Sequence, residues 1–464
     1  MIKIISFALL IFIYSPEFLC SQTVEFNNPY EAVNFALQNS QIHMLQRQRS
    51  LQNMRVAKYG VQDFLPTFNF TISETDSIML LAGDSRTKSF QATINQELFD
   101  GGKRKIAYDI NRIGSIYAYH DYESSLMEYR SQVIDLYYQY IMQKQMVSLK
   151  EDLVSIAKNQ LDIIQKEVEI GITLETDYLE YLISYIRLEN DRDQAKRDLI
   201  TLERRFKIFI DLDYEAQLII TDNYYREFTY FYFEPYINYI WTIIRNANVE
   251  IKKQYLSLEF ARKQIDYSRR WYVPSLSVQG GVTFSGEAYP LTEPKYSLRL
   301  TIDFSNAGLL PVSLSNGYNF DRDHLQSVSN SASARVVPQP TYGIQRKQAD
   351  ISLLETNIQR IQTERDIHEA VHDLIISHDN TLRYIDMAER TIVVMERRLE
   401  FSRLEVEQGE KKHIDYLNEL INMTQIKISL LEYQTQASSH ERSLEILAGF
   451  PFGDLRNECS KQDL

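Results

Sequence analysis

Apolar residues recur at helical spacing from about Pro29 to Asp63 and from about Glu234 to Trp271, with polar residues between them, which predicts a helix opening each half of the chain. Behind each helix the period changes to two. Phe68, Phe70 and Ile72 interleave with Thr67, Asn69, Thr71 and Ser73, and Phe90, Ala92 and Ile94 with Ser89, Gln91, Thr93 and Asn95. Later, Leu276, Val278, Val282 and Phe284 alternate with Ser277, Gln279 and Thr283, and Leu298, Leu300, Ile302 and Phe304 with Arg299, Thr301 and Asp303. Four strands in two hairpins, 64–99 and 272–304, are predicted, each strand with one apolar and one hydrophilic face. From Lys103 to Glu169 there is no proline and one glycine, Gly114, so nothing stops a helix that would be about 100 Å long at 1.5 Å per residue. No globular core covers the apolar stripe of such a rod, which must lie against other long helices as a coiled-coil-like wall. Gly171 and Gly409 mark turns, after which Thr173 to Phe209 and Lys411 to Leu447 run back as helices; periodic segments at Leu149–Leu161 and Met387–Leu404 fit that antiparallel pairing.

The two halves are copies of one plan. Glu167-Val168-Glu169, Gly171, Asp177-Tyr178-Leu179 and Leu182-Ile183 recur 238 residues later as Glu405-Val406-Glu407, Gly409, Asp415-Tyr416-Leu417 and Leu420-Ile421. Nearer the start of each copy, Phe64-Leu65-Pro66-Thr67-Phe68 answers Tyr272-Val273-Pro274-Ser275-Leu276 at a separation of 208. The 30-residue difference is an insertion in the second copy, between Phe304 and Gln345. Its Ser, Asn and Pro content reads as a surface loop, with Pro338 and Pro340 forbidding helix. This sets the expected domains: a leader over 1–21; a first repeat over 22–233 with long helices in 103–210; a second repeat over 234–449 with the insertion at 305–340 and long helices in 341–448; and a tail over 450–464.

Composition sharpens this in three ways. Lys3, the apolar run Ile4 to Ile13, Pro16 and small residues near Cys20 read as a secretory signal peptide, so the mature chain is expected outside the cytoplasm. Glu17, Phe18 and Leu19 make a poor lipidation box before Cys20, and with Cys459 the only other cysteine a disulfide framework is excluded. No later run reaches the roughly 18 apolar residues of a spanning helix, so any membrane crossing falls to the strands. The formal charge of −13 argues against nucleic acid as a partner and is equally compatible with an acidic lumen or ordinary solubility. For one strand, a half-buried soluble sheet explains the alternation as well as a barrel does. Four strands behind a leader favour the barrel, and because four cannot close in lipid, several chains must join; three would give twelve strands.

Glu31-Ala32-Val33, Asn39, Phe99-Asp100-Gly101-Gly102 and Leu447-Ala448-Gly449, together with the repeat, resemble the TolC-like outer membrane efflux proteins, the outer membrane factors, over essentially the whole mature chain. The resemblance implies an α+β membrane protein in which a long antiparallel α-helical coiled-coil barrel joins a transmembrane β-barrel, four strands per protomer in a homotrimer. It implies a cell outer membrane location with the helical tunnel in the periplasm, and as partners a periplasmic adaptor (membrane fusion) protein and an inner-membrane pump. The function implied is the channel subunit of a tripartite efflux or type I secretion system, passively conducting solutes or polypeptide. The tunnel tip in that family carries glycine turns that dock the adaptor, similar here to Ile170-Gly171 and Gln408-Gly409, followed by aspartates, here Asp177 and Asp415. By position, Asp415 matches the constriction aspartate and Lys411 a basic residue of the closing network, while a second acidic ring position holds Asn418 and the network's tyrosine position holds Val406. Both aspartates have a plainer reading as caps of the following helix.

One motif points elsewhere. His368-Glu369-Ala370-Val371-His372 is a literal H-E-x-x-H, which on a helix sets two imidazoles on one face beside a general base, with His378 where a third zinc ligand would stand. Ile375 occupies the position where that longer pattern needs glycine to turn the chain, so the expectation is a chance match on a wall helix and no enzyme. Nothing in the sequence calls for a metal or cofactor, and with no phosphate-binding loop the energy for transport must come from a partner. The rival reading is a non-conducting secreted coiled-coil envelope scaffold, for which a lipid-facing barrel has no use.

Overall fold

The computed structural model describes residues 23–77, 85–221, 225, 228–304, 312–321, 324–334, 341–450 and 454–461. The expected leader, with Cys20, lies outside them. The elements run β1 (Thr23–Phe26), α1 (Pro29–Asn39), α2 (Gln41–Tyr59), β2 (Thr67–Ser77), β3 (Ser85–Phe99), α3 (Lys103–Ile170), α4 (Glu175–Phe209), β4 (Gln217–Ile220), α5 (Ile237–Ala247), α6 (Val249–Arg269), β5 (Ser275–Gly286), β6 (Glu293–Asp303), β7 (Val312–Asp321), β8 (His324–Ala334), α7 (Thr341–Glu407), α8 (His413–Ala448) and α9 (Asp454–Ser460). They fall into two compact units. One holds the described residues up to Gln41 with Tyr129–Glu234 and Ile376–Arg442; the other holds Ile42–Glu128, Pro235–Ile375 and the chain from Ser443.

The opening helix of each half is broken where a single rod was expected. Ser40 leaves the helical region at ψ 114° while its N–H still donates to Ala36, and Asn248 does the same at ψ 128° with its N–H on Ile244. Asn248 then caps α6 by accepting from the Ile251 N–H at 3.0 Å, a short polar side chain competing with the helix backbone as such residues do. Helical periodicity continues across both breaks, which is why spacing alone hides them.

In the first unit the long helices pack through apolar stripes. Leu153, Val154, Ala157, Leu161 and Ile164 of α3 meet Tyr181 and Leu188 of α4 and Leu417 of α8, all buried. Leu382 and Ile385 of α7 meet Ala437 of α8. Their spacing of three and four is that of helices lying side by side. In the same unit β1 and β4 form a two-stranded parallel ribbon.

The second unit carries one antiparallel sheet in the order β2-β3-β5-β6-β7-β8. Among the described residues this sheet therefore has six strands where four were expected. The insertion at 305–340, expected as a loop, contains the hairpin β7–β8, paired from Val312↔Ala334 to Asp321↔His324. Its serines and asparagines look like turn composition, yet Val312, Leu314, Tyr318 and Phe320 alternate with Ser313, Ser315, Gly317 and Asn319, and Val328, Ala332 and Ala334 with Ser327, Ser329, Ser331 and Ser333. Period two, not residue polarity, decides here.

Asp100 joins sheet to helix within this unit. Its carboxylate accepts from the Gly102 N–H at 2.8 Å and the Arg104 N–H at 2.6 Å, capping α3, and also binds the Arg104 guanidinium. Burial pushes this carboxyl upward, but the backbone hydrogen bonds and Arg104 outweigh it and hold the pKa below the ordinary 3.8. Replacing Asp100 by Ala is expected to cost about 1–2 kcal/mol, the upper range for a helix cap, read as a lower melting temperature of the purified protein. The folded pKa is depressed, so this stabilisation is present above pH 3.8 and is lost as pH falls through the folded value.

Candidate functional site

Register converts the strand pattern into two continuous faces. On one, Phe68, Phe70 and Ile72 of β2 stand opposite Ile94, Ala92 and Phe90 of β3, which stand opposite Gly280, Val282 and Phe284 of β5. These continue to Leu298 and Tyr296 of β6, then to Tyr318 and Phe320 of β7, and finally to Val328 and Leu325 of β8. Rings step across the strands, Phe70 to Phe90 at 6.4 Å and Phe90 to Phe284 at 6.3 Å. The chain itself leaves much of this face bare: Phe68, Phe70 and Ile72 are 65–71% exposed. A contiguous apolar surface of this kind is a membrane or interaction face, and strands of 10 to 15 residues meet the roughly 9–11 that a tilted crossing needs. Two residues beyond Ile72 the same face turns charged, where Arg86 pairs with Glu74 at 2.7 Å and Asp76 at 3.0 Å, and Lys88 with Glu74 at 3.3 Å. The opposite face presents Thr, Ser, Asn and Gln with Arg299 and Asp303.

In the first unit the two glycine turns share one geometry. Gly171 has φ 85° and Gly409 φ 77°, the left-handed region open to glycine. The Gly171 N–H donates to Val168 and the Ile172 N–H to Glu167; likewise the Gly409 N–H donates to Val406 and the Glu410 N–H to Glu405. Both helices therefore end in the same Schellman closure. The surfaces differ: Ile170, Ile172 and Leu174 are exposed apolar residues on the first turn, whereas Gln408, Glu410 and Lys412 make the second polar.

Residues 34–204 match the family model described as outer membrane efflux protein. Over that stretch the chain is similar to the outer membrane efflux proteins. The chain shares its fold with the outer membrane channel CmeC of Campylobacter jejuni, at 14% identity and TM-score 0.73 over 94% of this chain and 88% of that one. With CusC, whose structures concern folding and transmembrane channel formation, the values are 12% and 0.72 over 92% and 94%. With the outer membrane protein VceC of Vibrio cholerae they are 12% and 0.71 over 91% and 96%. No match was found among curated proteins.

Around its glycine turns the chain places the sequence-derived site residues unevenly. Asp177 receives Lys412 Nζ at 3.2 Å, so one turn is tied to the other. Neither aspartate is the capping residue: α4 is preceded by Leu174 without a side-chain cap, and Asp177 and Asp415 each lie three positions into their helix. Asp415 and Asn418 are exposed, and among the described residues Asp415 makes no side-chain hydrogen bond or ion pair. Lys411 turns instead to Glu419 at 2.9 Å. Glu419, which sequence reasoning missed, also takes the Arg398 guanidinium. Burial pushes its carboxyl up, but Lys411 and Arg398 outweigh that and hold it below the ordinary value. His413, also missed, bridges Gln160 at 3.0 Å and Glu167 at 3.1 Å.

The three histidines of the zinc-like motif go to separate surroundings on the unbroken α7. In the second unit His368 stacks edge-on to Trp241 at 4.6 Å, and His372 is exposed. His378, in the first unit, is buried and bonded through Nδ1 to Asp379 at 2.9 Å. Among the described residues no three metal-ligating side chains gather.

His440 gives the first unit a pH dependence. Burial, and then the neighbouring His378, depress its pKa below 6.5. As pH falls below 6.5 the unfolded chain takes up a proton that the folded site resists, so this contribution to stability is lost toward acid. The melting temperature is expected to fall between pH 7.5 and 5.5, less steeply in His440→Gln. Equal slopes in the two proteins would show that His440 does not contribute.

Proposed function

We propose that the chain is one subunit of a trimeric outer-membrane channel which passively conducts solutes or polypeptide handed over by a periplasmic adaptor and an inner-membrane pump, in tripartite efflux or type I secretion. The observation that carries this is the bare, continuous apolar sheet face with a hydrophilic reverse: lipid on one side and a watery lumen on the other satisfy both. Backbone groups at the sheet edges find no water in lipid, so the sheet must close with other copies. In this reading Ile170-Gly171 and Gln408-Gly409 form the adaptor-contact turns, with Ile170, Ile172 and Leu174 as the apolar part of that contact.

The unpaired, exposed Asp415 is the residue free to face an axis; Asp177 is already neutralised by Lys412, and Lys411 latches within its own chain to Glu419. Three copies of Asp415 converging in a narrow passage would attract cations. Single-channel recordings of Asp415→Asn and Asp415→Ala test this. Both variants are expected to lose most of the cation preference by similar amounts, since charge and not size acts. Unchanged selectivity in Asp415→Asn would leave Asp415 without a role in the gate.

A further inference from the structure

We propose that the groove around Glu432, between α3, α4 and α8, is a binding site for organic cations on the export path, with an ammonium group held at Glu432 and its hydrocarbon part against Met142 and Leu202. Its place in the lumen rests on the channel reading; its chemistry rests on the groove.

The groove holds a cavity of about 550 Å³, within the range of small-molecule sites. To its lining α3 contributes Gln139 and Met142, α4 contributes Leu202, and α8 contributes Glu432 and Gln436. The charges around it do not balance. Asp135 takes the guanidinium of Arg442, whose side chain is 2% exposed, is also held by Ser438 Oγ at 2.6 Å and lies over the Tyr138 ring. That pair is complete within the chain. Glu432 lines the same cavity, is exposed, and among the described residues has no hydrogen bond or ion pair. Arg442 is the only cation among the described lining residues, so one negative charge is left unmatched. A monovalent cation answers it. Met142 and Leu202 add hydrocarbon, which rewards an alkyl- or arylammonium ion and gives a hydrated metal ion nothing. The amides of Gln139 and Gln436, likewise without a partner among the described residues, can bond N–H or hydroxyl groups on such a molecule.

Exposure along α8 gives the groove its place. Every exposed residue of this helix is polar: Asp415, Asn418, Asn422, Gln425, Glu432 and Gln436, in steps of three, four and seven. They form one stripe. By contrast α4 bares Leu179, Ile183 and Ile186, and α7 bares Met387, Val394 and Phe401. Where several copies pack together, apolar stripes are covered and the polar one keeps its water. The stripe that turns Asp415 to the axis therefore carries Glu432 into the same lumen, 17 residues and roughly 25 Å along the helix. The two carboxylates make successive stations for a cation, and Glu432 has hydrocarbon lining the cavity beside it.

Titration calorimetry of benzyltriethylammonium chloride into the purified full-length protein in detergent tests the site. Saturable binding is expected, weakened about five- to tenfold in Glu432→Gln, largely retained in Glu432→Asp and unchanged in Asp415→Asn. Tetramethylammonium, with the same charge and little hydrocarbon, is expected to bind the native protein more weakly. Equal binding by the native and Glu432→Gln proteins would overturn the proposal, as would no saturable binding at all, or its loss in Asp415→Asn alone. Conductance recorded on the same preparations separates the site from the channel. Current without binding refutes the site, whereas binding without current refutes the channel and with it the placement on an export path.

Discussion

Arginine in place of Leu300 is expected to abolish recovery of assembled protein in the outer membrane, whereas arginine at the adjacent Thr301 leaves it near the native amount. Leu300 sits in the middle of β6 between Val278 and Asn316, on the face that meets lipid in the proposed channel. A guanidinium near the bilayer midplane costs about 2–4 kcal/mol per site in membrane barrels, and the proposed trimer would carry that cost three times. Thr301 pairs with Ser277 and Ser315 on the hydrophilic face, where a charge stays in water. The assay is the amount of oligomer that resists unheated detergent gels. Equal loss in both variants would mean that the two faces do not differ in environment.

The second large effect belongs to Asp379, buried in the first unit. Its carboxylate accepts from the Phe233 N–H at 3.1 Å, the Glu234 N–H at 2.8 Å and His378 Nδ1 at 2.9 Å, fixing the segment that leads into the second half of the chain. Burial raises this pKa, and the three hydrogen bonds more than reverse the rise, leaving it below 3.8. Asp379→Ala strips a partner from two backbone donors and a buried imidazole at once, and is expected to cost about 3–5 kcal/mol. The stabilisation is present above pH 3.8 and disappears as pH falls through the folded value. Thermal unfolding at pH 7 measures it; a loss below about 1 kcal/mol would mean that water takes over all three bonds.

The long helices, the glycine turns and the first four strands were legible because each leaves a periodic or backbone signature: apolar spacing in Leu153 to Ile164, positive φ at Gly171 and Gly409, alternation in Phe68 to Ile72. The hairpin β7–β8 was missed because serine and asparagine in its polar positions mimic a loop, although Leu314, Tyr318 and Phe320 carried the signal. At the turns, sequence marked Asp177 and Lys411 but not their partners. Lys412 lies 235 positions from Asp177, and His413 lies 246 from Glu167, separations that only the packed helices bring together. Glu419 is two turns into α8 and looks like an ordinary surface carboxylate until Arg398 and Lys411 are seen to converge on it.

Conductance across a planar lipid bilayer tests the channel directly. It should be recorded for the native protein and for Lys412→Ala, which releases the Asp177 contact between the two turns. Stepwise, cation-preferring openings are expected from the purified oligomer, with longer or larger openings in the variant. A trimer that inserts into the bilayer yet stays electrically silent in both forms would contradict passive export and leave the scaffold reading in its place.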